Sequence, residues 1–242
     1  MSTWTPILQA VVGSTAYGLA TPDSDIDRIA IAAAPTADFH GLHPPIGKAA
    51  SRVTTAPDMA THEVGKFAAL ALGCNPTLLE TLWLDEHLYE IRTVVADQLI
   101  AERGRFLHQH GVRNAFLGYA TQQLRRLQNR GDGTFSSNLR TRSHKHARHL
   151  WRLVRQGLEL WQTGTMTVRL DDEQRHECFT WAENAVANPE SAQDLITLAE
   201  IAMDRTRPAI PERPDEPWVE QWLRDVRLIR LAAVPVAPGG PW

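Results

Sequence analysis

The sequence predicts an α+β fold in which a small β-rich domain is followed by an all-helical domain. Short apolar runs separated by turn residues fill residues 5–60, whereas apolar residues recur at three- and four-residue steps from Thr61 onward. A length of 242 residues and a 43% share of hydrophobic residues suit two domains with a packed core. We place the boundary near residue 100, which gives domains of residues 1–100 and 101–242.

Three strands are predicted in the first domain from short apolar runs bounded by turn residues. The runs cover residues 6–12, 26–34 and 52–56. The second run is entered through the turn residues 22–24, and a loop that contains Pro44, Pro45 and two glycines separates it from the third. These strands are expected to form the sheet of the first domain.

The helical half is predicted from the change of period at Thr61. A first helix ends at Gly73, and Asn75 followed by Pro76 is typical of an N-cap with proline in the first helical turn. Further periodic segments predict helices near residues 91–103, 111–130, 140–163, 171–187, 191–204 and 215–231. The buried face of helix 140–163 is predicted to consist of Ala147, Leu150, Trp151, Val154, Leu158 and Trp161.

A glycine–serine pair at the end of the first strand is a candidate phosphate-binding turn. Gly13 permits a phosphate to approach the backbone, whose free N–H groups donate to it, and Ser14 adds a hydroxyl donor. Tyr17 follows the turn and has two interpretations. It stacks on a nucleoside, or it packs in the core beneath the turn, which is the interpretation we prefer.

Two carboxylates follow the turn after a gap of ten residues. Residues i and i+2 of a strand share one face, so Asp25 and Asp27 are expected side by side, with Ile26 directed into the core. Adjacent like charges call for a cation, and Mg²⁺ or Mn²⁺ binds such oxygen ligands together with substrate phosphates. A third metal-binding carboxylate is expected at Asp58, at the end of the third strand, with Glu63 in the next helix as the alternative.

The chain resembles the DNA polymerase β-like nucleotidyltransferases. Their signature is a hydrophobic residue, a Gly-Gly or Gly-Ser pair, a gap, and two acids that flank a hydrophobic residue. Other segments are similar to one branch of that superfamily, the predicted nucleotidyltransferases of RNA repair. The segments that carry the resemblance are GSTAYGLATPDSDID at 13–27, DMATHEVGKF at 58–67, GCNPTLLE at 73–80, KHARHLWR at 145–152 and IPERP at 210–214.

The resemblance implies a small nucleotidyltransferase domain with a mixed sheet, followed by a helical domain. It implies that Gly13 and Ser14 hold the triphosphate of a nucleotide. It also implies that Asp25 and Asp27 bind metal and that the third carboxylate is Asp58.

The helix after Asp58 is expected to contact the nucleotide. Lys66 on this helix is a candidate ligand of the triphosphate, and an ion pair with Glu63 is the alternative. The chain departs from the branch at Gly65, where a basic residue is expected, and at Cys74, where a small or basic residue is expected.

Basic residues are concentrated in the middle of the chain. Residues 103–155 hold 12 of the 25 Lys and Arg and one acid, although the net charge of the whole chain is −3. Such a segment is a candidate surface for a polyanion. One side of helix 140–163 carries Arg142, Lys145, His149 and Arg152. We interpret Lys145 and His149 as nucleotide-binding residues, against the alternative of a solvated helix face.

These patterns predict a metal-dependent nucleotidyltransferase. It would move a nucleoside monophosphate from a nucleoside triphosphate to a hydroxyl, with RNA as the candidate acceptor, and release pyrophosphate. Nucleotidylation of a protein or a small molecule is one alternative, and a non-catalytic, antitoxin-like interaction module is another. The presence of Asp25, Asp27 and Asp58 argues against the module, and the basic segment favours a polyanionic acceptor over a cationic drug.

Several classes of protein are excluded by the composition. No apolar run approaches the ~18 residues that span a bilayer, and the N-terminus lacks the pattern of a signal peptide, so a cytoplasmic protein is expected. Cys74 and Cys178 are far apart in the sequence and suit plain residues in a reducing compartment. No histidine pair with a zinc-type spacing is present.

Overall fold

The predicted α+β architecture is confirmed. The structure is a computed structural model that describes residues 3–22, 24–128 and 137–232, with side chains in the last range described for 143–229. A five-stranded mixed sheet lies near the N-terminus. Its strands are β1 (Thr5–Val11), β2 (Arg28–Ala33), β3 (Ser51–Thr55), β4 (Asp58–Glu63) and β5 (Tyr89–Arg92).

Helices dominate the rest of the described chain, as the apolar periods predict. Their bounds are α1 (Gly13–Ala16), α2 (Val64–Leu72), α3 (Pro76–Leu79), α4 (Val94–Ala101), α5 (Gln109–Gln128), α6 (Ser137–Thr163), α7 (Asp172–Ala187), α8 (Glu190–Arg205) and α9 (Glu216–Ala232). Gly73 caps the end of α2, and the Asn75 side chain accepts from the N–H of Leu78 at the start of α3. Both predicted helix boundaries are therefore confirmed.

Two strands were not expected from the sequence. Residues 61–63 were predicted to be helical but complete β4, and the helix predicted near residues 91–103 begins only at Val94, after β5. The β4 sequence, DMATHE, has no apolar alternation, so its strand character comes from pairing with β2 on one side and β3 on the other.

The order of the strands across the sheet is β3-β4-β2-β1-β5. The pair β2–β4 is parallel, whereas β1 pairs antiparallel with both β2 and β5, and β3 pairs antiparallel with β4. One edge of the sheet therefore brings together the end of β1 and the starts of β2 and β4. We call this edge the acidic edge.

One hydrophobic cluster runs through both halves of the chain. It extends from Ile7 on β1 to Val226 on α9 and includes Phe67, Phe116 and Leu150. Helix α9, which is far from the sheet in sequence, contacts α2 and β2. The predicted boundary near residue 100 thus lies within a continuous core, and the division into two domains stays a prediction.

Both cysteines of the chain, Cys74 and Cys178, are buried and unpaired, as expected for plain core residues. Within the described residues, no helix combines the length and the apolar character needed to cross a membrane.

Candidate active site

The topology of the sheet assembles the acidic edge from three separate segments. Arg28 at the start of β2 pairs with Met59 on β4, so Asp27 and Asp58 extend the same register by one residue. Neighbouring strands lie about 4.8 Å apart, which makes these two carboxylates neighbours across the sheet. On the other side of β2, the N–H of Val12 donates to the carbonyl of Asp27 at 2.9 Å, which brings the Gly13 turn to the same edge.

Only a glycine fits at position 13. Its φ is +68°, in the left-handed region that disfavours side chains, and a Cβ atom there would lie 2.2 Å from Oδ2 of Asp27. The backbone of the turn and the Asp27 carboxylate are therefore in direct contact. The glycine expected to admit a phosphate also admits this carboxylate.

The two aspartates of the motif do not lie on a strand, contrary to the expectation. Asp25, Ile26 and Asp27 form an irregular segment before β2, and the Ile26 side chain is 51% exposed instead of buried. Asp25 is exposed, and Asp27 is half-buried against the turn. The alternation of strand faces fails here because the ladder of β2 begins only at Arg28.

The charges of the acidic edge affect one another. Burial raises the pKa of Asp27 above its ordinary value, the Lys145 ammonium nearby lowers it, and the carboxylates of Asp58 and Asp25 raise it further. All three predicted metal-binding acids are therefore close enough to interact electrostatically. Lys145, from α6 in the helical half, reaches the same site.

Asp58 and Glu63 lie at opposite ends of β4. Asp58 begins the strand and is exposed, whereas Glu63 ends the strand and is 1% exposed. The Glu63 carboxylate accepts from the Gly65 N–H at 2.7 Å and from the Arg227 guanidinium at 2.6 Å. Glu63 was expected inside the helix, but it is the N-cap that precedes α2. Of the two candidates, only Asp58 lies at the acidic edge.

The donor set of the acidic edge consists of carboxylate oxygens, which suit Mg²⁺ or Mn²⁺. Across the described part of the chain, no three His, Cys, Asp or Glu side chains form a group that could hold a metal ion by themselves. Mg²⁺ commonly takes one or two protein carboxylates and completes its shell with water and substrate phosphates. The oxygen donors of Asp25 and Asp27 fit this ligand number.

Of the two predicted nucleotide-binding residues of α6, Lys145 lies near this edge. Lys145 is exposed and makes no salt bridge to a described carboxylate, and its charge acts on both Asp27 and His149. His149 is one helical turn further along α6, on the same side as Lys145. Burial, followed by the charge of Arg152, lowers the pKa of His149 to about 3, so its ring is neutral.

Comparison with known families agrees with this geometry. Residues 3–188 match the RlaP family, the RNA repair pathway DNA polymerase beta family. The chain belongs to this family. The resemblance inferred from the sequence is thereby confirmed, and the family is one of polymerase β-like nucleotidyltransferases. No curated protein matches the chain.

The RlaP match covers the acidic edge and α6, and it ends one residue after α7. Helices α8 and α9 lie beyond it. Arg227, which holds Glu63, therefore belongs to a part of the chain outside the matched region.

Arg152 is not on an open face of α6, contrary to the expectation. Its side chain is 2% exposed and donates to Oε2 of Glu80 at 2.8 Å, and its guanidinium lies 3.2 Å from the centre of the Tyr17 ring. The Tyr17 hydroxyl donates to the other Glu80 oxygen at 2.5 Å. Tyr17 is therefore partly buried and packs against the core beside the Gly13 turn, in line with the preferred interpretation. We call these three residues the buried triad.

Lys66 is far from the acidic edge. Its ammonium donates to the carbonyl of Gly47 at 3.2 Å, and its charge lowers the pKa of His62, after the larger effect of burial. Asp58 and Glu63 are separated by the length of β4, about 17 Å at the usual rise per residue, and Lys66 lies beyond the Glu63 end.

The unexpected Gly65 has a local explanation. A Cβ atom at this position would lie 3.1 Å from Oε2 of Glu63 and 3.2 Å from the guanidinium of Arg227. A basic side chain there would crowd the pair that caps α2. The expected basic residue is thus replaced by a residue that leaves room for Arg227.

The pairing of Glu80 with Arg152 was not predicted from the sequence. Each is a charged residue within an apolar stretch, LLETLW for Glu80 and LWRLV for Arg152. Charged residues are almost never fully buried unless they are paired, so two such positions of opposite charge indicate a buried ion pair. That signal was present in the sequence, but it does not identify which acid pairs with which base.

Proposed function

We propose that this chain is a metal-dependent nucleotidyltransferase that transfers a nucleoside monophosphate from a nucleoside triphosphate to a hydroxyl of RNA. The observation that carries the proposal is the meeting of Asp27 and Asp58 beside the Gly13 turn, within the field of Lys145. Crowded carboxylates that no described cation pairs with are unfavourable for the folded chain, and such groups are typical of functional sites.

Each carboxylate has a task in the proposed reaction. Asp25 and Asp27 hold Mg²⁺ or Mn²⁺, which neutralises phosphate charge and orients the phosphates when bound. The acceptor oxygen forms a bond to the α-phosphorus, the bond from that phosphorus to the pyrophosphate oxygen breaks, and pyrophosphate leaves. Asp58 accepts the proton of the acceptor hydroxyl.

The remaining groups bind the triphosphate. Gly13 and Ser14 offer a backbone turn and a hydroxyl, and the Ser14 hydroxyl makes no hydrogen bond to the described residues. Lys145 adds positive charge beside Asp27. Lys66 is the weakest of the proposed contacts because its ammonium is bound to a loop carbonyl at the other end of β4.

RNA is the proposed acceptor because exposed cations of α5 lie beside α6, the helix that carries Lys145. Arg125 and Arg126, in the last turn of α5, are exposed and make no salt bridge to a described carboxylate. Arg126 lies close enough to lower the pKa of His149. Arg152 does not belong to this surface because it is buried, and the side chain of Arg142 lies outside the described residues.

The proposal is tested by following the label from nucleoside triphosphates labelled at the base and the α-phosphorus. Each is incubated with the chain, Mg²⁺ or Mn²⁺, and either total RNA or an RNA-free lysate. We expect label in RNA, none after a chelator, and none with Asp27→Asn, whereas Asp172→Asn, an exposed acid of α7, labels like the wild type.

The destination of the label separates the alternatives. Label in protein or in a small molecule, with none in RNA, would replace the proposed acceptor. No label with any nucleotide and either metal would overturn the enzyme and favour the interaction module. If Zn²⁺ alone restored the transfer of label after chelation, the assignment of an oxygen-ligand site would be contradicted.

Binding of RNA has its own test. The logarithm of the affinity falls by about 0.7 per phosphate contact for each tenfold rise in salt. The double variant Arg125→Ala/Arg126→Ala should flatten this slope by about one to two contacts. The matched double variant Arg205→Ala/Arg207→Ala, on exposed arginines at and just after the end of α8, should leave the slope unchanged. Equal slopes in both variants would contradict an RNA surface at the end of α5.

A further inference from the structure

His149 is joined to the buried triad by a single hydrogen bond. The Arg152 guanidinium, which is held by Glu80 and covered by Tyr17, also contacts Nδ1 of His149 at 3.0 Å. A further contact at 3.3 Å joins Arg152 to Gln156 Oε1. His149 is thus connected through Arg152 to the helical turn that follows the phosphate-binding glycine.

The chemistry of arginine decides which nitrogen of His149 carries the proton. A guanidinium has five N–H donors and no acceptor, so Nδ1 of His149 must accept the hydrogen bond from Arg152. A neutral imidazole that accepts at Nδ1 is protonated at Nε2. A doubly protonated ring would direct an N–H at the guanidinium, which the buried positive charge of Arg152 opposes.

The Nε2–H group has no hydrogen-bond partner among the described residues. Cations act on the ring from two helices: Arg152 and Lys145 on α6, and Arg126 on α5. Lys145 acts on Asp27 as well. A donor that no described residue accepts, near cations of α5 and α6, suits an anionic oxygen supplied by a ligand.

We propose that Arg152 is a positioning residue that holds His149 as the Nε2–H tautomer, and that this N–H donates to a phosphate oxygen of the bound nucleotide. The inference rests on the proposed function, since it takes the nucleotide to be the ligand. A neutral donor contributes a hydrogen bond without adding a third positive charge beside Lys145 and Arg126. The donor is set by the fold before the nucleotide arrives, because the buried triad fixes Arg152.

The tautomer is measured on the wild-type chain with ¹⁵N-labelled histidine. Long-range proton–nitrogen spectra distinguish a protonated from an unprotonated ring nitrogen. We expect His149 to be protonated at Nε2 only, throughout about pH 5 to 8, where ordinary histidines titrate. A proton on Nδ1, or titration within this range, overturns the proposal whether or not the chain transfers nucleotides.

The ligand is identified by adding probes to the same sample in the presence of Mg²⁺. ATP and inorganic tripolyphosphate should both shift the Nε2 resonance, and adenosine should not. A response to adenosine alone would overturn the assignment to phosphate. An unchanged Nε2 resonance at saturating ATP, with binding established by calorimetry, would overturn the donor role.

Substitutions test the same bond kinetically. A glutamine amide can occupy the place of Nε2–H, whereas an asparagine amide lies near Nδ1. His149→Gln should therefore keep the KM for the nucleotide within about threefold, and His149→Asn should raise it by about 10- to 100-fold, as for loss of a hydrogen bond to a charged group. Arg152→Lys should raise KM similarly. Arg155→Lys, one turn along α6 and stacked on Trp151, is the matched control and should change nothing.

The outcomes separate this inference from the proposed function. Unchanged KM in both His149→Asn and Arg152→Lys, with normal transfer, overturns the inference alone. Binding of ATP with the expected shift at Nε2, but no transfer to any acceptor, supports the inference and overturns the proposed function. Failure to bind ATP at all overturns both. If Arg152→Lys does not fold, the two His149 variants and the wild-type spectra still decide.

Discussion

Carboxylates occupy two contrasting environments in this chain. The edge carboxylates, Asp25, Asp27 and Asp58, interact with one another and make no salt bridge to a described cation. The paired carboxylates, Glu63 and Glu80, are buried, and each is bound by an arginine that is distant in sequence. The same functional group thus repels its neighbours in one region and ties segments together in the other.

The contrast indicates which carboxylates serve the fold and which serve chemistry. The pairs Glu63–Arg227 and Glu80–Arg152 attach α9 and α6 to the sheet half of the chain. A buried charge is tolerated only with such a partner. The edge carboxylates make no salt bridge within the described structure, and burial together with its acidic neighbours raises the pKa of Asp27. Their crowding is explained by a ligand that brings positive charge.

The largest expected effect is on activity at the acidic edge. Asp27→Asn removes a charged ligand with little change of shape, and we expect transfer to fall by at least about 10²–10³-fold, the range for loss of one preorganised electrostatic contact. Circular dichroism should show an unchanged fold. An active Asp27→Asn variant would show that Asp27, like Glu63 and Glu80, has no role in catalysis.

The next largest effect is on stability at the buried triad. Arg152→Met leaves the buried Glu80 charge without its cation, so the free energy of unfolding should fall by about 3–5 kcal/mol in urea titrations. The double variant Glu80→Leu/Arg152→Met removes both charges and should recover most of this loss. A double variant as unstable as the single one would show that packing, not charge pairing, dominates here.

A smaller effect should separate the two ends of β4. Glu63→Gln keeps an acceptor for the Gly65 N–H but weakens the bond to Arg227, so it should cost about 1–3 kcal/mol of stability with activity retained. Asp58→Asn should do the reverse, with stability retained and activity lost. Denaturation curves and transfer rates of both variants check this. Activity lost in Glu63→Gln and retained in Asp58→Asn would identify Glu63 as the third carboxylate.

Repulsion at the acidic edge predicts a pH dependence of stability in the absence of metal. A carboxyl whose pKa is higher in the folded than in the unfolded chain stabilises the folded chain at low pH, and this contribution is lost as the pH rises through the folded pKa. Asp27→Asn stays neutral, so its Tm should exceed that of the wild type at neutral pH. The difference should shrink as the medium becomes acidic enough to protonate Asp27. A constant difference across this pH series would exclude titration of Asp27 as its cause.

The smallest effect is expected at Lys66. Because its ammonium is bound at the surface to the Gly47 carbonyl, Lys66→Met should change KM by about twofold or less, as is usual for exposed charges. Lys145→Met, next to Asp27, should raise KM by about tenfold or more. Equal effects of the two substitutions on KM would indicate that Lys66 also contacts the nucleotide.

The fold was largely predictable because helices have strong local signals. The predicted apolar stripe of α6 is buried except for Leu158, which is half-buried, and the caps at Gly73 and Asn75 agree with the sequence prediction. Strands β4 and β5 were missed because their residues carry little apolar alternation, and they are strands only through their neighbours in the sheet.

The sequence by itself determined the family, the glycine turn and the spacing of its acids, since all of these are patterns between residues close in the chain. Only the tertiary structure decided that Glu63 is bound by an arginine and that Arg152 is buried. Their partners, Arg227 and Glu80, lie far away in sequence. A prediction from helical periodicity places charged residues on the exposed face of a helix. Burial and pairing depend on which segments meet, and that is settled by packing of the whole chain.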